Sequence, residues 1–379
     1  MVFYFYDIDF KYYLLLHNPD VAGSCLFCCL RPRKAGFFCG NMKNSNSLIN
    51  FIGNTPLIRL NTIINDDYAN VFVKLEYLNP GGSVKDRMAL QIITDAEEKG
   101  ILKKGDTIVE ATGSGNTGIG LAMIAAIRGY KTIFTMPDKN SAEKINMLKA
   151  YGAKVVICPT NVPPNDPRSY YQVAQRLVKV IPDAFFANQY SNSSNPKAHY
   201  LSTGPEIWNQ TEGEIDYFIA GMGTGGTISG TGKFLKDKKK TIKVIGVDPV
   251  GSIYTDYFKK KLVNNAAKTY LTEGIGEDFI PRTIDFSFID SVVQVTDKEA
   301  YLMARRLAKE EGILVGSSSG AAVAGALKYS KQKKIAKNKN IVVLLPDSGR
   351  SYLSKIFNDE WMRENNLLET DYSKKNASL

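Results

Sequence analysis

One lysine stands where its amine could act as a nucleophile. Lys85 follows the turn-forming run Pro80-Gly81-Gly82-Ser83 and precedes an amphipathic stretch that predicts a helix over Asp86–Lys99. Ser83 and Asp86 have the spacing of a capping box, so we expect the helix to begin there with Lys85 in its first turn. The positive end of the helix dipole disfavours a cation, which would lower the pKa of the lysine and make its amine more nucleophilic. An ordinary exposed lysine is the alternative, and this segment alone does not exclude it.

Two glycine-rich loops, each between a predicted strand and a predicted helix, could bind anions. The first contains Gly113, Gly115 and Gly118, and the second is the run Gly221-Met222-Gly223-Thr224-Gly225-Gly226-Thr227. Exposed backbone amides at the start of a helix bind phosphate or carboxylate groups, and threonine hydroxyls add further donors. The second loop lacks the Gly-Lys-Ser/Thr ending of a nucleotide-triphosphate loop, which excludes that class of site.

The first glycine loop also fits a different class of protein. Its glycines have the spacing of dinucleotide-binding folds, and Asp138 ends the next predicted strand about where a ribose-binding carboxylate would lie. An NAD(P)-dependent oxidoreductase is therefore an open alternative. It gives no role to Lys85, to the second loop or to the run Gly316-Ser317-Ser318-Ser319-Gly320 before a later helix. An activated lysine, a loop for a carboxylate, a loop for a phosphate and a buried serine are together the components of a pyridoxal-phosphate site.

Composition excludes several other chemistries. The chain of 379 residues contains only two histidines, His17 and His199, which rules out sites built from several histidines. Five cysteines, an odd number, argue against a disulfide framework and favour a reducing compartment. The net charge of +10 comes with short lysine runs that lack interleaved aromatic residues. Such runs are more typical of a basic surface than of a nucleic-acid groove, which remains the weaker alternative.

The elements that must carry these loops alternate between strands and helices. Short runs rich in β-branched residues predict strands, and amphipathic stretches lie between most of them. This alternation is typical of an α/β protein with mostly parallel sheets flanked by helices. The predicted strands are Val71–Leu75, Thr107–Glu110, Lys131–Met136, Lys154–Cys158, Ala184–Asn188, Tyr217–Ala220, Lys243–Val247 and Ile341–Leu345. The predicted helices, besides Asp86–Lys99, are Thr117–Arg128, Ala142–Ala150, Lys298–Glu311 and Ala321–Lys328.

Taken in order along the chain, these segments resemble the fold-type II pyridoxal-phosphate enzymes, and within them the cysteine synthase and cystathionine β-synthase family. The resemblance covers residues 48 to about 362 and implies a two-lobed fold similar to the tryptophan synthase β subunit. The matching segments are Asn54-Thr55-Pro56-Leu57, the Lys85 segment, Ser114-Gly115-Asn116-Thr117-Gly118, Gln189-Tyr190 with Asn195-Pro196, Gly223 to Thr227, Glu273-Gly274-Ile275-Gly276 and Leu345-Pro346-Asp347-Ser348.

The resemblance implies roles for individual residues. Lys85 would carry pyridoxal 5'-phosphate and move the α-proton of the substrate as a general base. Asn116 resembles the residue that contacts the ring hydroxyl of the cofactor, and Ser318 the partner of its ring nitrogen. The residues that resemble the phosphate site are Gly223, Thr224, Gly225, Gly226 and Thr227. The residues implied in substrate binding are Ser114, Gly115, Thr117, Gln189, Tyr190, Gly274 and Glu277. No metal is expected.

The implied reaction is β-replacement on L-serine or an activated serine. Most matching segments resemble cystathionine β-synthase cores, which predicts that L-serine and L-homocysteine give L-cystathionine and water. The stretch from Ser202 to Trp208 instead resembles cysteine synthase, which makes L-cysteine and acetate from O-acetyl-L-serine and sulfide. Glu277 stands where many cystathionine synthases have tyrosine, and with Tyr190 and Asp278 it would lie near the substrate entrance. A Glu277–Asp278 pair there could attract the ammonium group of homocysteine.

One departure from the family pattern concerns the substrate loop. Gly113 stands between Thr112 and Ser114, where the family usually reads Thr-Ser-Gly-Asn-Thr. Either Thr112 is displaced from the substrate carboxylate, or the loop bulges and keeps it in place.

These patterns divide the chain into an extension, a catalytic core and a tail. Residues 1–41 hold four of the five cysteines and fall outside the resemblance, so we expect an extension that the core starting at Met42 does not need. The core would span 42–365, with a smaller lobe at about 86–188 and a larger lobe at about 42–85 plus 189–365, before a polar tail at 366–379. We expect a cytoplasmic homodimer that acts on small amino-acid and thiol or sulfide substrates, without nucleic-acid or membrane partners.

Overall fold

A computed structural model describes residues 45–64, 69–138, 140–163, 165–263 and 267–368, together with strand residues 7–8 and 11–12. The chain separates into two units, residues 1–45 and residues 46–379. In the first unit, strand β1 (Asp7–Ile8) pairs antiparallel with strand β2 (Lys11–Tyr12). The four cysteines of the predicted extension lie outside the described residues.

The second unit contains a six-stranded sheet with its core on both faces. Its strand order is β11-β10-β9-β12-β4-β3, and every neighbouring pair is parallel except β3 with β4. The central strand reads Asn340-Ile-Val-Val-Leu-Leu345 and is buried from its second residue onward, as expected for a parallel strand covered on both sides. The strands are β3 (Leu57–Arg59), β4 (Asn70–Leu75), β9 (Tyr217–Gly221), β10 (Lys243–Pro249), β11 (Ser291–Val295) and β12 (Asn340–Leu345).

A second, four-stranded sheet carries the first glycine loop. Its order is β7-β6-β5-β8 and all its pairs are parallel. The strands are β5 (Thr107–Ala111), β6 (Lys131–Pro137), β7 (Lys154–Cys158) and β8 (Ala184–Phe186). All four lie within residues 86–188, the range that the sequence assigned to a smaller lobe.

Helices connect the strands and cover the sheets, as the alternating pattern predicted. The α-helices are α1 (Lys85–Glu98), α2 (Asn116–Arg128), α3 (Ala142–Ala150), α4 (Tyr170–Val180), α5 (Ser194–Ala198), α6 (Gly204–Gln210), α7 (Gly226–Lys238), α8 (Tyr254–Lys260), α9 (Asp297–Glu311), α10 (Ser317–Lys333) and α11 (Asp359–Glu364). A five-residue π-helix, His199–Thr203, joins α5 to α6. Short 3-10 helices span Leu48–Phe51, Glu76–Leu78, Phe286–Phe288 and Gly349–Tyr352.

All eight predicted strands are present, with ends that differ by at most two residues from the prediction. Within the second unit, two strands, β3 and β11, were not predicted. β3 is a three-residue edge strand, too short for a periodic pattern. β11 alternates only weakly between buried and half-buried positions.

The candidate functional loops meet at the carboxyl ends of the parallel strands. In the larger sheet the chain order reverses between the neighbouring strands β9 and β12. Crevices that bind ligands in open α/β sheets form at such switch points. The second glycine loop follows β9, and Pro346 and Asp347 follow β12, so both segments lie beside this crevice.

Candidate active site

Lys85 lines a cleft at the carboxyl edge of the larger sheet. It shares the cleft with Gly223, Thr224 and Thr227 of the second glycine loop and with Gly274. Lys85 is the first residue of α1, so its predicted position in the first turn is confirmed. The fold therefore places one amine beside the loop expected to bind an anion.

The predicted capping box at the start of α1 is wrong. The N-cap residue is Val84, and it makes no side-chain capping bond. Ser83 Oγ accepts from the Lys85 amide at 3.2 Å, while Asp86 turns back and accepts from the amide of Gly81. Asp86 therefore stabilises the preceding turn, because the chain bends sharply enough to bring Gly81 against its carboxyl group.

The surroundings of Lys85 lower the pKa of its amine. Burial is the largest cause, and it acts against the nearby carboxyl groups of Asp347 and Glu277, which favour the charged form. The direction agrees with the prediction from the sequence, and burial is its largest cause. A lowered pKa increases the share of Lys85 that is unprotonated and can act as a nucleophile or base.

The second glycine loop needs its glycines because neighbouring segments press against it. A Cβ atom on Gly223 would lie 2.6 Å from the carbonyl oxygen of Gly274, and one on Gly225 would lie 2.2 Å from Cβ of Ile284. Gly225 is also the N-cap of α7 with φ of 83°, a conformation that favours glycine. The loop thus presents its backbone and its threonine side chains to the cleft at a helix N-terminus, which suits a phosphate group.

The first glycine loop forms the N-terminus of α2 and contacts the segment that follows β8. Gly115 caps the helix with φ of 84°, and the Thr117 hydroxyl donates to Gln189 Oε1 at 2.6 Å. Gln189 in turn donates from Nε2 to the carbonyl oxygen of Ala111 at 2.9 Å. The structure therefore brings together the predicted substrate-binding residues Thr117 and Gln189, which lie 72 positions apart in the chain.

The structure also shows how the loop accommodates the additional Gly113. Thr112 is fully buried, and its hydroxyl accepts from the amide of Gly118 at 3.2 Å. The carbonyl oxygen of Gly113 accepts from Asn140 Nδ2 at 2.9 Å. Thr112 therefore binds the first turn of α2 from inside the loop, and its relation to the substrate carboxylate stays a prediction.

Ser318 and Asn116 lie on opposite elements of the same region. The Ser318 and Ser114 hydroxyls each lie 3.9 Å from the position that a Cβ on Gly274 would take, so both flank Gly274. Asn116 donates from Nδ2 to Asp347 at 2.8 Å, and Tyr352 donates to the same carboxylate oxygen at 2.6 Å. Asp347 thereby fixes the orientation of the Asn116 amide. The sequence placed Asp347 within a matching motif but suggested no role for it.

A cluster of aromatic side chains surrounds Glu277. The Tyr171 hydroxyl lies 3.5 Å from Glu277 Oε2, and the rings of Tyr171, Tyr190 and Phe279 lie 5.2–5.4 Å from one another. Burial and then the negative charge of Glu277 raise the pKa of the Tyr171 and Tyr190 hydroxyls well above the usual value. The tyrosines therefore remain neutral, and the cluster combines one carboxyl group with aromatic rings that favour cations.

The first turn of α4 extends this cluster toward the first glycine loop. The Tyr170 and Tyr171 rings are 4.0 Å apart, and a Cβ on Gly113 would lie 3.1 Å from the Tyr170 hydroxyl. Neither tyrosine was predicted from the sequence, because consecutive aromatic residues at the start of an amphipathic helix usually indicate packing.

A buried ionic network anchors α1 behind Lys85. Arg87 pairs with Glu76 at 2.7 Å and with Glu206 at 2.6 Å, and Lys74 pairs with Glu206 at 2.7 Å. Although burial opposes ionisation of Glu206, its bonds to Arg87 and Lys74 lower its pKa to about 2. Each charge has an opposite partner, as buried charges require. The network fixes the helix that carries Lys85 to β4 and α6.

Two kinds of functional feature are absent from the described part of the chain. It contains no cluster of His, Cys, Asp and Glu side chains that could hold a metal ion. Among the same residues, no helix has the length and apolar character needed to cross a membrane.

Asp138, the residue considered for ribose binding, accepts from the amide and hydroxyl of Thr160.

The site as a whole suits a phosphorylated aldehyde. Its cleft is lined by an amine of lowered pKa and by a glycine loop at a helix N-terminus. The amine can bond to an aldehyde carbon, and the loop can hold the phosphate. These are the two attachment points that pyridoxal phosphate offers.

Comparison with known proteins gives a family match over most of the chain. Residues 48–347 match the family described as "Pyridoxal-phosphate dependent enzyme". The cystathionine beta-synthase of Dictyostelium discoideum is 46% identical over 330 residues, which are 87% of this chain and 65% of that protein. The enzyme of the same name from Apis mellifera is 49% identical over 324 residues, which are 85% of this chain and 63% of that protein. The chain thus spans slightly less than two thirds of the length of these relatives.

Solved structures show the same fold. A hydrogen sulfide-producing enzyme from Fusobacterium nucleatum superposes with a TM-score of 0.75 and 41% identity, over 82% of this chain and all of that chain. An O-ureido-L-serine synthase superposes with a TM-score of 0.77 and 36% identity, over 88% of this chain and all of that chain.

Proposed function

Because the chain belongs to the pyridoxal-phosphate dependent enzymes, in the branch that resembles cystathionine β-synthase, we propose that it catalyses β-replacement on L-serine. The second substrate would be L-homocysteine, and the products L-cystathionine and water. The observation that carries this choice is the carboxyl group of Glu277 within its aromatic cluster. The cofactor is pyridoxal 5'-phosphate.

Lys85 would attach the cofactor and then move a proton. Bound pyridoxal phosphate supplies the electron sink that makes the α-proton of the amino-acid substrate acidic. The Lys85 amine, whose pKa burial lowers, is suited to accept that proton as a general base. Thr224, Thr227 and the backbone of the second glycine loop would hold the phosphate group. Ser318, whose hydroxyl flanks Gly274, would meet the ring nitrogen.

The substrate carboxylate would bind at the first glycine loop. Ser114 and Gly115 stand at the N-terminus of α2, where backbone amides favour a negative group. Thr117 and Gln189, already hydrogen-bonded to each other, would complete this site. Asn116, oriented by Asp347, would contact the ring hydroxyl of the cofactor.

Glu277 would select the second substrate. Sulfide is small and needs few contacts, whereas homocysteine brings an ammonium group that a carboxyl group and tyrosine rings can bind. A charge-assisted contact of this kind contributes about 1–3 kcal/mol, or roughly one to two decades in affinity. Tyr190 and Gly274 would line the same entrance.

The test is a side-by-side measurement of kcat/KM for two substrate pairs. We expect L-serine with L-homocysteine to give cystathionine efficiently, and Glu277→Ala to lower kcat/KM for this pair roughly tenfold or more. Glu277→Gln, which keeps the size of the side chain but not its charge, should resemble Glu277→Ala. The pair O-acetyl-L-serine and sulfide should be affected far less.

Cysteine synthase, supported by the stretch from Ser202 to Trp208, is the alternative outcome of that assay. Turnover of the second pair alone would overturn the proposal. Equal damage by Glu277→Ala to both pairs would show that Glu277 does not select the thiol substrate. We further propose a cytoplasmic homodimer, an assembly that light scattering on the purified chain would test.

A further inference from the structure

His199 is buried directly behind the second glycine loop and contacts two threonines. Its Nε2 lies 3.2 Å from the Thr227 hydroxyl, and its Nδ1 lies 2.9 Å from the Thr203 hydroxyl. His199 and Thr203 are both fully buried. None of the roles described above uses His199.

The path of the backbone brings His199 to this position. His199 and Thr203 are the first and last residues of the π-helix, a rare element that often marks functional positions. Glycines on α7 allow this segment to approach, since a Cβ on Gly230 would lie 2.0 Å from the carbonyl oxygen of Pro196. The contact between His199 and Thr227 therefore depends on several unusual local features.

The hydrogen bonds around His199 can run in two directions. If Nε2 carries the proton, it donates to Thr227, the Thr203 hydroxyl donates to Nδ1, and the Thr227 hydrogen is left to donate into the cleft. If Nδ1 carries the proton, it donates to Thr203, and the Thr227 hydroxyl must donate backward to Nε2. In that second case the Thr203 hydrogen has no acceptor among the described residues, which is costly for a fully buried hydroxyl.

The other threonine of the loop has the same arrangement. Thr224 Oγ1 accepts from Asn195 Nδ2 at 2.9 Å, and Asn195 Nδ2 also donates to the carbonyl oxygen of Gln189 at 2.9 Å. A carbonyl oxygen can only accept, so the atom facing Gln189 must be the amide nitrogen. Thr224 thus accepts from behind and keeps its own hydrogen for a donor bond.

We propose that His199 is a positioning residue that holds its proton on Nε2, so that the Thr227 hydroxyl always donates to the cofactor phosphate. Together with Asn195, it makes both threonines of the loop donors toward an anion. Burial first, and then the positive charges of Arg87 and Lys85, lower the pKa of His199 well below its usual value. His199 therefore remains neutral and offers one donor and one acceptor.

The direct test is nitrogen NMR of the full-length chain loaded with pyridoxal phosphate and labelled with [15N]histidine. The chain has only two histidines, and His17→Gln identifies the signals of His17. We expect Nε2 of His199 at the shift of a protonated ring nitrogen and Nδ1 at that of an unprotonated one. A proton on Nδ1, or on both nitrogens, would overturn the proposal without any variant at the site.

A binding cycle tests whether His199 acts through Thr227. The probe is pyridoxamine 5'-phosphate, which carries the phosphate but cannot bond covalently to Lys85. We expect His199→Leu to raise its dissociation constant roughly tenfold, and to raise it less than about twofold in a Thr227→Val background. His199→Gln, which keeps an amide donor, should recover part of the affinity.

An equal loss in both backgrounds would indicate a merely structural role and contradict the proposal. If the variants fail to fold, the nitrogen shifts of the unmodified site still decide the question. The proposal rests on the cofactor of the family and not on the choice of substrates, because neither experiment measures turnover.

Discussion

In three carboxyl groups, burial within this fold raises the pKa above its ordinary value. Burial raises the pKa of Glu110 to about 8, of Asp86 to about 7 and of Asp248 to about 6. In each group one carboxyl oxygen lacks a hydrogen-bond partner among the described residues. Nothing in the sequence predicted this for Glu110, which lies near the end of a buried parallel strand where an apolar residue is usual.

Glu110 makes stability depend on pH. Its folded pKa of about 8 exceeds the ordinary value of 4.5, so the folded state binds its proton more tightly than the unfolded state. The stabilisation is complete below about pH 4.5 and is lost as pH rises through about 8. Glu110→Gln should remove this dependence and, relative to the unchanged chain, gain on the order of 5 kcal/mol above pH 8, since each pKa unit corresponds to about 1.4 kcal/mol. Urea unfolding of both chains at several pH values measures the free energy of unfolding and its pH dependence.

The matched control for this prediction is Glu98→Gln, at an exposed position of α1. It should leave the pH dependence of the unfolding free energy unchanged. If the free energy of unfolding changes with pH in parallel for the unchanged chain and Glu110→Gln, Glu110 is already ionised in the folded protein.

At the scale of elements, the packing of α7 explains why glycines occur not only in the second glycine loop but also within the helix that follows it. Gly226 and Gly230 stand four residues apart and face α5 and the π-helix, so that Asn195 and His199 reach the loop threonines. The sequence predicted the loop, because strand, glycines and helix are adjacent in the chain. It could not predict the second use of the glycines, because the segment that packs on them lies about 30 residues away.

The packing of α7 predicts different costs for two glycine substitutions in one helix. A Cβ on Gly226 would lie 1.9 Å from Asn195 Oδ1, whereas the nearest atom to a Cβ on Gly232 is a Val244 methyl at 3.2 Å. Gly226→Ala should lower the free energy of unfolding by about 1–3 kcal/mol, and Gly232→Ala should change it by less than about 1 kcal/mol. Urea denaturation of both variants measures the difference. Equal effects would show that α5 moves away at no cost.

On the scale of the whole molecule, features that depend on short segments could be predicted from the sequence, whereas contacts between distant residues could not. The eight predicted strands and the order of the motifs predicted the α/β class and the family correctly, since both depend on short segments read in order. The ionic network from Arg87 to Glu206 joins residues 119 positions apart and could not be read from spacing. The same holds for the contact of Asn116 with Asp347 across 231 positions. The predicted lobe boundaries and the individual site roles stay predictions.

The division of the chain predicts that the core folds without the first residues. The second unit begins at residue 46 and the family match at residue 48. A chain that begins at Met42 should therefore keep its unfolding midpoint, bind pyridoxal phosphate and turn over at the rate of the full chain. Spectra, urea unfolding and the two-substrate assay compare the two chains. Loss of cofactor binding or of activity in the shorter chain would show that residues 1–41 belong to the working protein.

The attachment of the cofactor to Lys85 is the premise of every role proposed for the cleft. Reduction of the full-length chain with borohydride fixes pyridoxal phosphate on its lysine, and peptide mass mapping then identifies that residue. We predict that the added mass lies on the peptide containing Lys85, and that Lys85→Ala loses the added mass, the visible absorption and β-replacement together. Added mass on another lysine, or an unchanged adduct in Lys85→Ala, would contradict the assignment of Lys85 and with it the proposed function of the cleft.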